Sequence, residues 1–512
     1  MRRMNVALVL VVTLPCFVLS CYHAAQVRKT DPLMSRDKIV KVAKLDGEFI
    51  TFDEDGGHWT MGDNLITGVA RTPDSLSQEG GGPANFRYAS IPMDSVLQIW
   101  VKRTDVLATT AMVVGIAAGV AVATVALIAA LKESCPFVYS WDGQQYVFDA
   151  EPLGGAICRA LQRSECSRLE HLKAVDGQYR LMVRNEVPEI QYLDRLQLLV
   201  VDHNPNVTIV PDTSGRLHAV ASAVTPVRAV DENGRSILSF VSATDGLAWQ
   251  THMSEQSLAS SSDTRHHLKF EFPKPAGATH ARVIFNAGTA IWGSNMIREM
   301  LQLHGDSIDA WYDDVNLRGS KLWELFSFNL REETYFMRLY ADRNGVPYGR
   351  GFLLGGGPFV TEDRIMDIDI SDIEGDRLVL SCNPPKTFWT LDYLAVEYDA
   401  DSVVTPRVID MSQGRDDDGV DITAQLSHVD GQYYVMKNLG DWAEIRFAAP
   451  DSPAPGLQRS IFLSTTGYYE VVIDKNTPEQ AALLNRLLTT PGEVALYSRE
   501  RFVEWHKLQR NN

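Results

Sequence analysis

Cysteine is scarce in this chain: six in 512 residues, and Cys16 and Cys21 fall in or directly after the first apolar run. The four that remain, Cys135, Cys158, Cys166 and Cys382, are too few to form a disulfide framework. Cys158 and Cys166 lie close enough in sequence to bridge in an oxidising compartment, with buried thiols as the alternative. Their spacing excludes the paired C-x-x-C knuckles of structural zinc. Positive charge is also in deficit. Lys and Arg total 48 against 65 Asp and Glu, a formal net charge of −17, which argues against nucleic acid and anionic headgroups as partners. Catalytic motifs are missing as well: there is no G-x-S-x-G elbow, no H-E-x-x-H helix and no phosphate loop with its lysine. The stretch "LLGGGPFVTED" has the glycines but neither lysine nor helix pattern, and reads as a β connection. No catalytic residue, metal or cofactor is expected.

Two long apolar runs stand out instead. The first, after Arg2 and Arg3, has the charged start and short apolar centre of a secretory signal over residues 1–20. It ends "VLSC", which resembles the bacterial lipobox and makes Cys21 the expected lipidation position. Several acyl chains would make that attachment stable, since one chain binds only marginally. The second run, residues 106–131, would form a helix about 39 Å long against a ~30 Å hydrocarbon core, enough to span with tilt. Ala111, Gly115, Gly119 and Ala123 recur every fourth residue, a small-residue stripe that favours helix packing with another copy or an envelope partner. The flanking charges conflict with a simple topology. Lys102 and Arg103 precede the run and acids follow it, whereas a lipidated start followed by one crossing places the rest in the cytoplasm. An outer-membrane location resolves the conflict best, with the inner membrane as the alternative.

Elsewhere the chain reads as mainly β. Residues 36–104 alternate apolar and polar positions in four or five short strands, with Asp46-Gly47 as a hairpin turn, suggesting a small SH3-like or Sm-like barrel. After the second run, turns at Asp142-Gly143, Asp176-Gly177 and Asp430-Gly431 mark antiparallel β-sandwich domains with a few packing helices. Ser-rich 254–265 and acidic 412–421 suggest boundaries, giving domains at 134–255, 265–400 and 420–512 (an α+β unit). One helix is expected with Met296, Met300 and Leu303 on a face. Another opens on Thr477 as cap, with Gln480 closing a capping box, and stops at Pro491-Gly492.

The blocks "SCPFVYSWDGQQYVFDAEPLGGAICRALQRSE", "NEVPEIQYLDRLQLLVVDH", "GDWAEIRFAAP" and "RSIFLSTTGYYE" resemble a set of uncharacterised bacterial envelope proteins, some of which carry repeat domains ahead of similar blocks. That resemblance covers most of residues 134–475 and implies a β-rich envelope module without implying an activity. Residues 364–399, with "FWTLD", are similar to the closing strands of galactose-binding-like jelly rolls. Phe388, Trp389 and Tyr393 follow a loop there and are the candidate ligand platform, against the alternative of core packing. Asp367 and Asp369 share a strand face with Asp372 beyond; a solvated face is favoured over calcium. His266 and His267 point to opposite faces and cannot chelate one ion together. The expectation is a non-enzymatic, lipid-anchored envelope protein that scaffolds or binds. A glycan-binding or glycan-hydrolysing surface protein and a membrane oligomer built on the small-residue helix are the alternatives.

Overall fold

A computed structural model describes residues 22–27, 38–44, 49–51, 59–61, 65–71, 86–92 and 95–104, then 136–511 apart from 246–247, 252–262, 358–359 and 401. The chain divides into two compact units, Met1–Ala121 and Val122–Asn512. In the first, β1 (Tyr22–Val27), β2 (Lys38–Lys44), β3 (Phe49–Thr51) and β7 (Val96–Thr104) form one antiparallel sheet in the order β1-β7-β2-β3. A second sheet joins β4 (Trp59–Met61), β5 (Leu65–Arg71) and β6 (Phe86–Pro92). The β-unit therefore starts at Tyr22 and not near residue 36, because "YHAAQV" has no alternating pattern to announce a strand. Its register sets Tyr22 opposite Thr104. Cys21, Asp46-Gly47 and the run 106–131 lie outside the described residues. Among those that are described, no helix is long and apolar enough to cross a membrane.

The second unit is built on a nine-stranded antiparallel sheet. Its strands are β8 (Phe137–Trp141), β9 (Tyr146–Ala150), β10 (Arg163–Leu169), β11 (Gln178–Arg184) and β12 (Glu189–His203), then β25 (Arg407–Asp416), β26 (Tyr434–Met436), β27 (Trp442–Ala448) and β28 (Gln458–Val471). The order is β10-β28-β12-β25-β27-β11-β8-β9, with β26 pairing β12. Residues expected in separate domains, 134–255 and 420–512, thus share one sheet: β12 and β28 pair from Glu189↔Val471 to His203↔Gln458. Between β12 and β25 the chain makes a small sheet of β13 (Thr208–Pro211), β14 (Leu217–Val220) and β24 (Val403–Val404), followed in space by a sandwich. One sandwich sheet orders β15 (Arg228–Val230), β17 (Leu268–Pro273), β22 (Arg377–Cys382), β19 (Phe336–Arg343) and β20 (Val346–Leu354). The other orders β16 (Trp249–Gln250), β23 (Trp389–Tyr398), β18 (His280–Thr289) and β21 (Glu362–Asp369). The Ser-rich stretch falls in sequence between β16 and β17, both strands of this sandwich, and the acidic stretch begins within β25, so neither is a domain boundary.

Turn chemistry explains most of the β connections. Asp142 accepts amide bonds from Gln144 and Gln145 while Gly143 takes φ +102°, closing β8 onto β9. Asp176 and Gly177 both have positive φ, the pattern of a type I′ turn, though only Val175 pairs across it. Asp430-Gly431 makes no hairpin. The fully buried Asp194 accepts the amides of both residues at 3.2 and 3.0 Å and docks the turn on β12.

Helices α1 (Ile291–Gln302), α2 (Ile308–Asn316) and α3 (Ser320–Glu332) are inserted between β18 and β19; α4 (Ala481–Thr489) and α5 (Glu493–Asn511) follow β28. Ile308, Trp311, Val315 and Leu322 join Leu181, Leu198, Ile445 and Phe447 in one apolar cluster, so α2 and α3 cover the nine-stranded sheet. Burying each such side chain contributes ~1.5–3 kcal/mol. The expected capping box is not formed: α4 starts at Ala481, and Gln480 precedes it without a side-chain cap bond. Tertiary contacts take those groups instead, since the Thr477 carbonyl accepts from Asp306 N and Gln480 N donates to the Leu303 carbonyl. Pro491-Gly492 separates α4 from α5 and does not end the helical part.

Candidate functional site

A cleft opens among the inserted helices. On α1, Gly293, Met296, Ile297, Met300 and Leu301 recur at the three- and four-residue spacing that places them on one face. Lys321, Glu324, Leu325 and Phe328 do the same on α3, and Leu484 and Leu488 on α4. Ile157, Trp311 and Phe388 complete the floor. The space between these atoms is ≈ 630 Å³, open solvent at the mouth included. The floor is buried, whereas Ile297, Met300, Leu325 and Leu488 stay half-exposed along the lips. Lys321 and Glu324 at the mouth pair with each other at 2.9 Å. Burial pushes the His304 imidazole down to about 4, so it is neutral near pH 7. The wall is therefore apolar, with its charges paired or discharged.

Ile297 and Tyr335 also line a smaller pocket of ≈ 270 Å³, open solvent included, between two glycine loops, Gly154-Gly155 and Gly355-Gly356. A Cβ on Gly155 would lie 2.3 Å from the Tyr335 ring, and one on Gly357 would lie 2.3 Å from the Glu151 carboxyl carbon. Glycine is required there for close approach.

Behind these loops lies a buried charge cluster. Arg163, Glu165 and Ser167 alternate onto one face of β10, opposite Glu362 and Arg364 on β21. Arg163 binds Glu165 at 2.6 Å and also the Gly154 carbonyl. Glu165 further accepts the Leu153 amide. Arg364 is paired with Glu362, to which Ser167 Oγ also donates at 2.5 Å. Glu151, 1% exposed, stands close by against Gly357. Two guanidiniums thus face Glu165 and Glu362, and the two carboxyls respond in opposite directions. Burial would raise Glu165, but Arg163 and Arg364 outweigh it and hold the group below the ordinary range. Burial dominates at Glu362 and, with the like charge of Glu165, pushes it up to about 7 against the pull of Arg364. Because the folded state keeps this proton longer than the unfolded chain, Glu362 stabilises fully below its ordinary value of 4.5. That contribution is lost as pH rises through about 7. Glu362→Gln is expected to flatten the fall in melting temperature over this window. Identical slopes in the two proteins would refute the assignment.

The residues singled out from sequence are placed differently. Cys158 and Cys166 are buried free thiols in separate apolar clusters, so the possible bridge is not formed and they are the buried thiols of the alternative. Burial pushes the two thiols up to about 11 and 12, which leaves them unreactive at neutral pH. Phe388 and Trp389 are 3% and 1% exposed and Tyr393 is half-buried, so they form no exposed platform. Phe388 turns instead into the cleft floor, and Trp389 Nε1 donates to the Glu333 carbonyl at 2.8 Å. Asp367 accepts from Arg282, Asp369 accepts the Ser371 amide and Asp372 pairs with Arg350. His266 binds Glu232 and Thr251, while His267 binds Asn383. Cys21, Ala111, Gly115, Gly119 and Ala123 lie outside the described residues.

No family model and no curated protein matches this chain. Among solved structures it is similar to the GH31 α-xylosidase from Xanthomonas citri, at 11% identity over 86% of this chain and a TM-score of 0.17. The chain spans 38% of that enzyme's length, and a likeness this slight carries no argument about fold or activity.

Proposed function

We propose that this chain is a non-enzymatic envelope lipoprotein, held by acyl chains on Cys21 and by the apolar run 106–131, that acts as a binding or scaffolding protein. The observation that supports it most is the pairing of Tyr22 with Thr104. Tyr22 and Thr104 stand at the same end of one strand pair, so a lipid on the residue before Tyr22 and a helix beginning after Thr104 would enter one bilayer side by side. In this reading the first unit is a small SH3-like or Sm-like module at the membrane surface. The sandwich corresponds to the galactose-binding-like resemblance and carries the inserted helices that wall the cleft. An outer-membrane position is preferred, because the C-terminal unit then stays outside the cytoplasm.

Two assays on cells test this. Metabolic labelling with a fatty acid should mark the wild type and leave Cys21→Ala unlabelled. External protease should cleave the C-terminal unit only after the envelope is opened to the compartment that holds it. Equal labelling of both proteins, or a C-terminal unit protected until the cytoplasm is breached, would defeat the proposal.

A further inference from the structure

We infer that the cleft between α1, α3 and α4 binds a single unbranched acyl chain. The inference rests on the binding-protein reading above and names its ligand class. Three features carry it. The lining is largely aliphatic and thioether above a floor that includes Trp311, Phe328 and Phe388, and the flexible side chains of Met296 and Met300 adapt to a chain without a fixed shape. The charged lining residues Lys321 and Glu324 satisfy each other, so these walls offer little to a polar peptide, whereas a methylene chain needs nothing but apolar contact. The third feature lies on the outside of the wall. Helix α3 shows the cleft Leu325 and Phe328, and on another side exposes Trp323 (66%), Phe326 (44%) and Leu330 (48%). Those three sit at i, i+3 and i+7, a continuous outer stripe. With Leu317, 83% exposed just before the helix, they give the wall an apolar outer face that suits a lipid surface. A chain leaving that surface reaches the cleft past one helix.

The experiment uses the full chain in its membrane and a series of diazirine-tagged fatty acids, from octanoate to palmitate. Light-induced adducts should map to α1, α3 and α4, besides the expected background on residues 106–131. Competition by untagged acids should strengthen about tenfold for every two added methylenes, until the chain exceeds the cleft and the gain stops. Met300→Trp and Leu325→Trp fill the space and should lower the cleft adduct at least tenfold while adducts on 106–131 stay constant. Supplying the tag as free acid or as phospholipid in vesicles separates the two sources of the chain. Should both filling variants fail to fold, the unsubstituted protein still decides, because bound dodecanoate should slow peroxide oxidation of Met300. Adducts spread evenly over the surface, affinity independent of chain length, or unprotected Met300 would each overturn the inference. Absence of adducts on 106–131 would count against the membrane reading and leave the cleft result standing.

Discussion

Arg364→Ala is expected to lower stability by ~3–5 kcal/mol, the usual penalty for removing one partner of a buried ion pair. Its guanidinium is bonded to Glu362 and, through charge, holds Glu165 ionised in a site where Glu362 is 6% and Arg364 8% exposed. Alanine leaves Arg163 to face both Glu165 and Glu362, and Arg163 is already bound to Glu165 and to the Gly154 carbonyl. Adding Glu362→Gln to Arg364→Ala should recover part of the loss, because it removes a carboxyl left without its cation. Chemical denaturation of the four proteins in this cycle supplies the coupling. A single mutant within about 0.5 kcal/mol of wild type would show that the cluster is hydrated. The cluster joins β10 of the large sheet to β21 of the sandwich, so its loss should also loosen one against the other.

This cluster was not legible in the sequence, and the reason is general. In "RSECSRL" the alternation of Arg163, Glu165 and Ser167 reads as the solvent face of a strand, since periodicity separates two faces without saying what covers the polar one. The glycines did carry a signal. "EPLGGAI" and "LLGGGPF" are doublet and triplet runs whose cause is close packing against Tyr335, Glu151 and Trp389, which a local reading takes for a plain connection. The β character, the long strand β12 and the turn at Asp142-Gly143 were legible because each depends on residues near in sequence. The shared sheet of β12 and β28 was not, for its partners are separated by the whole sandwich.

The cleft was half visible. Met296 and Met300 mark one apolar face of α1, and "KLWELFSFNL" in α3 carries a comparable amphipathic face through Leu322, Leu325 and Phe328, so both walls of the cleft are periodic in the sequence while their meeting across a strand-rich fold is not. The exposed Trp323 and Phe326 of α3, with ring centroids 6.0 Å apart, form a second apolar stripe on the side away from Leu325 and Phe328.

Trp389→Ala is expected to cost ~3–5 kcal/mol, and it decides between the two roles this tryptophan was given. The ring is among the largest fully buried side chains, and it lies against Gly355 so closely that a Cβ there would come within 2.6 Å. Its Nε1 donates to the carbonyl of Glu333, which ends α3 in the left-handed conformation at φ +60°. A non-glycine residue held there needs outside support, and Glu333 has it. Its carboxylate accepts the Arg338 amide at 2.8 Å and pairs with Arg265 at 3.2 Å, while the tryptophan binds its carbonyl. Truncation therefore opens a cavity, orphans a buried carbonyl and frees the turn that aims Thr334 and Tyr335 at the cleft. Trp389→Phe keeps most of the apolar contact and should lose only about 1–2 kcal/mol, much of it the hydrogen bond. A surface platform would give the opposite pattern: both variants would melt like wild type and fail only in ligand binding. Thermal and urea unfolding of the two variants, followed beside acyl adduct formation, distinguishes a tryptophan that builds the cleft from one that touches a ligand.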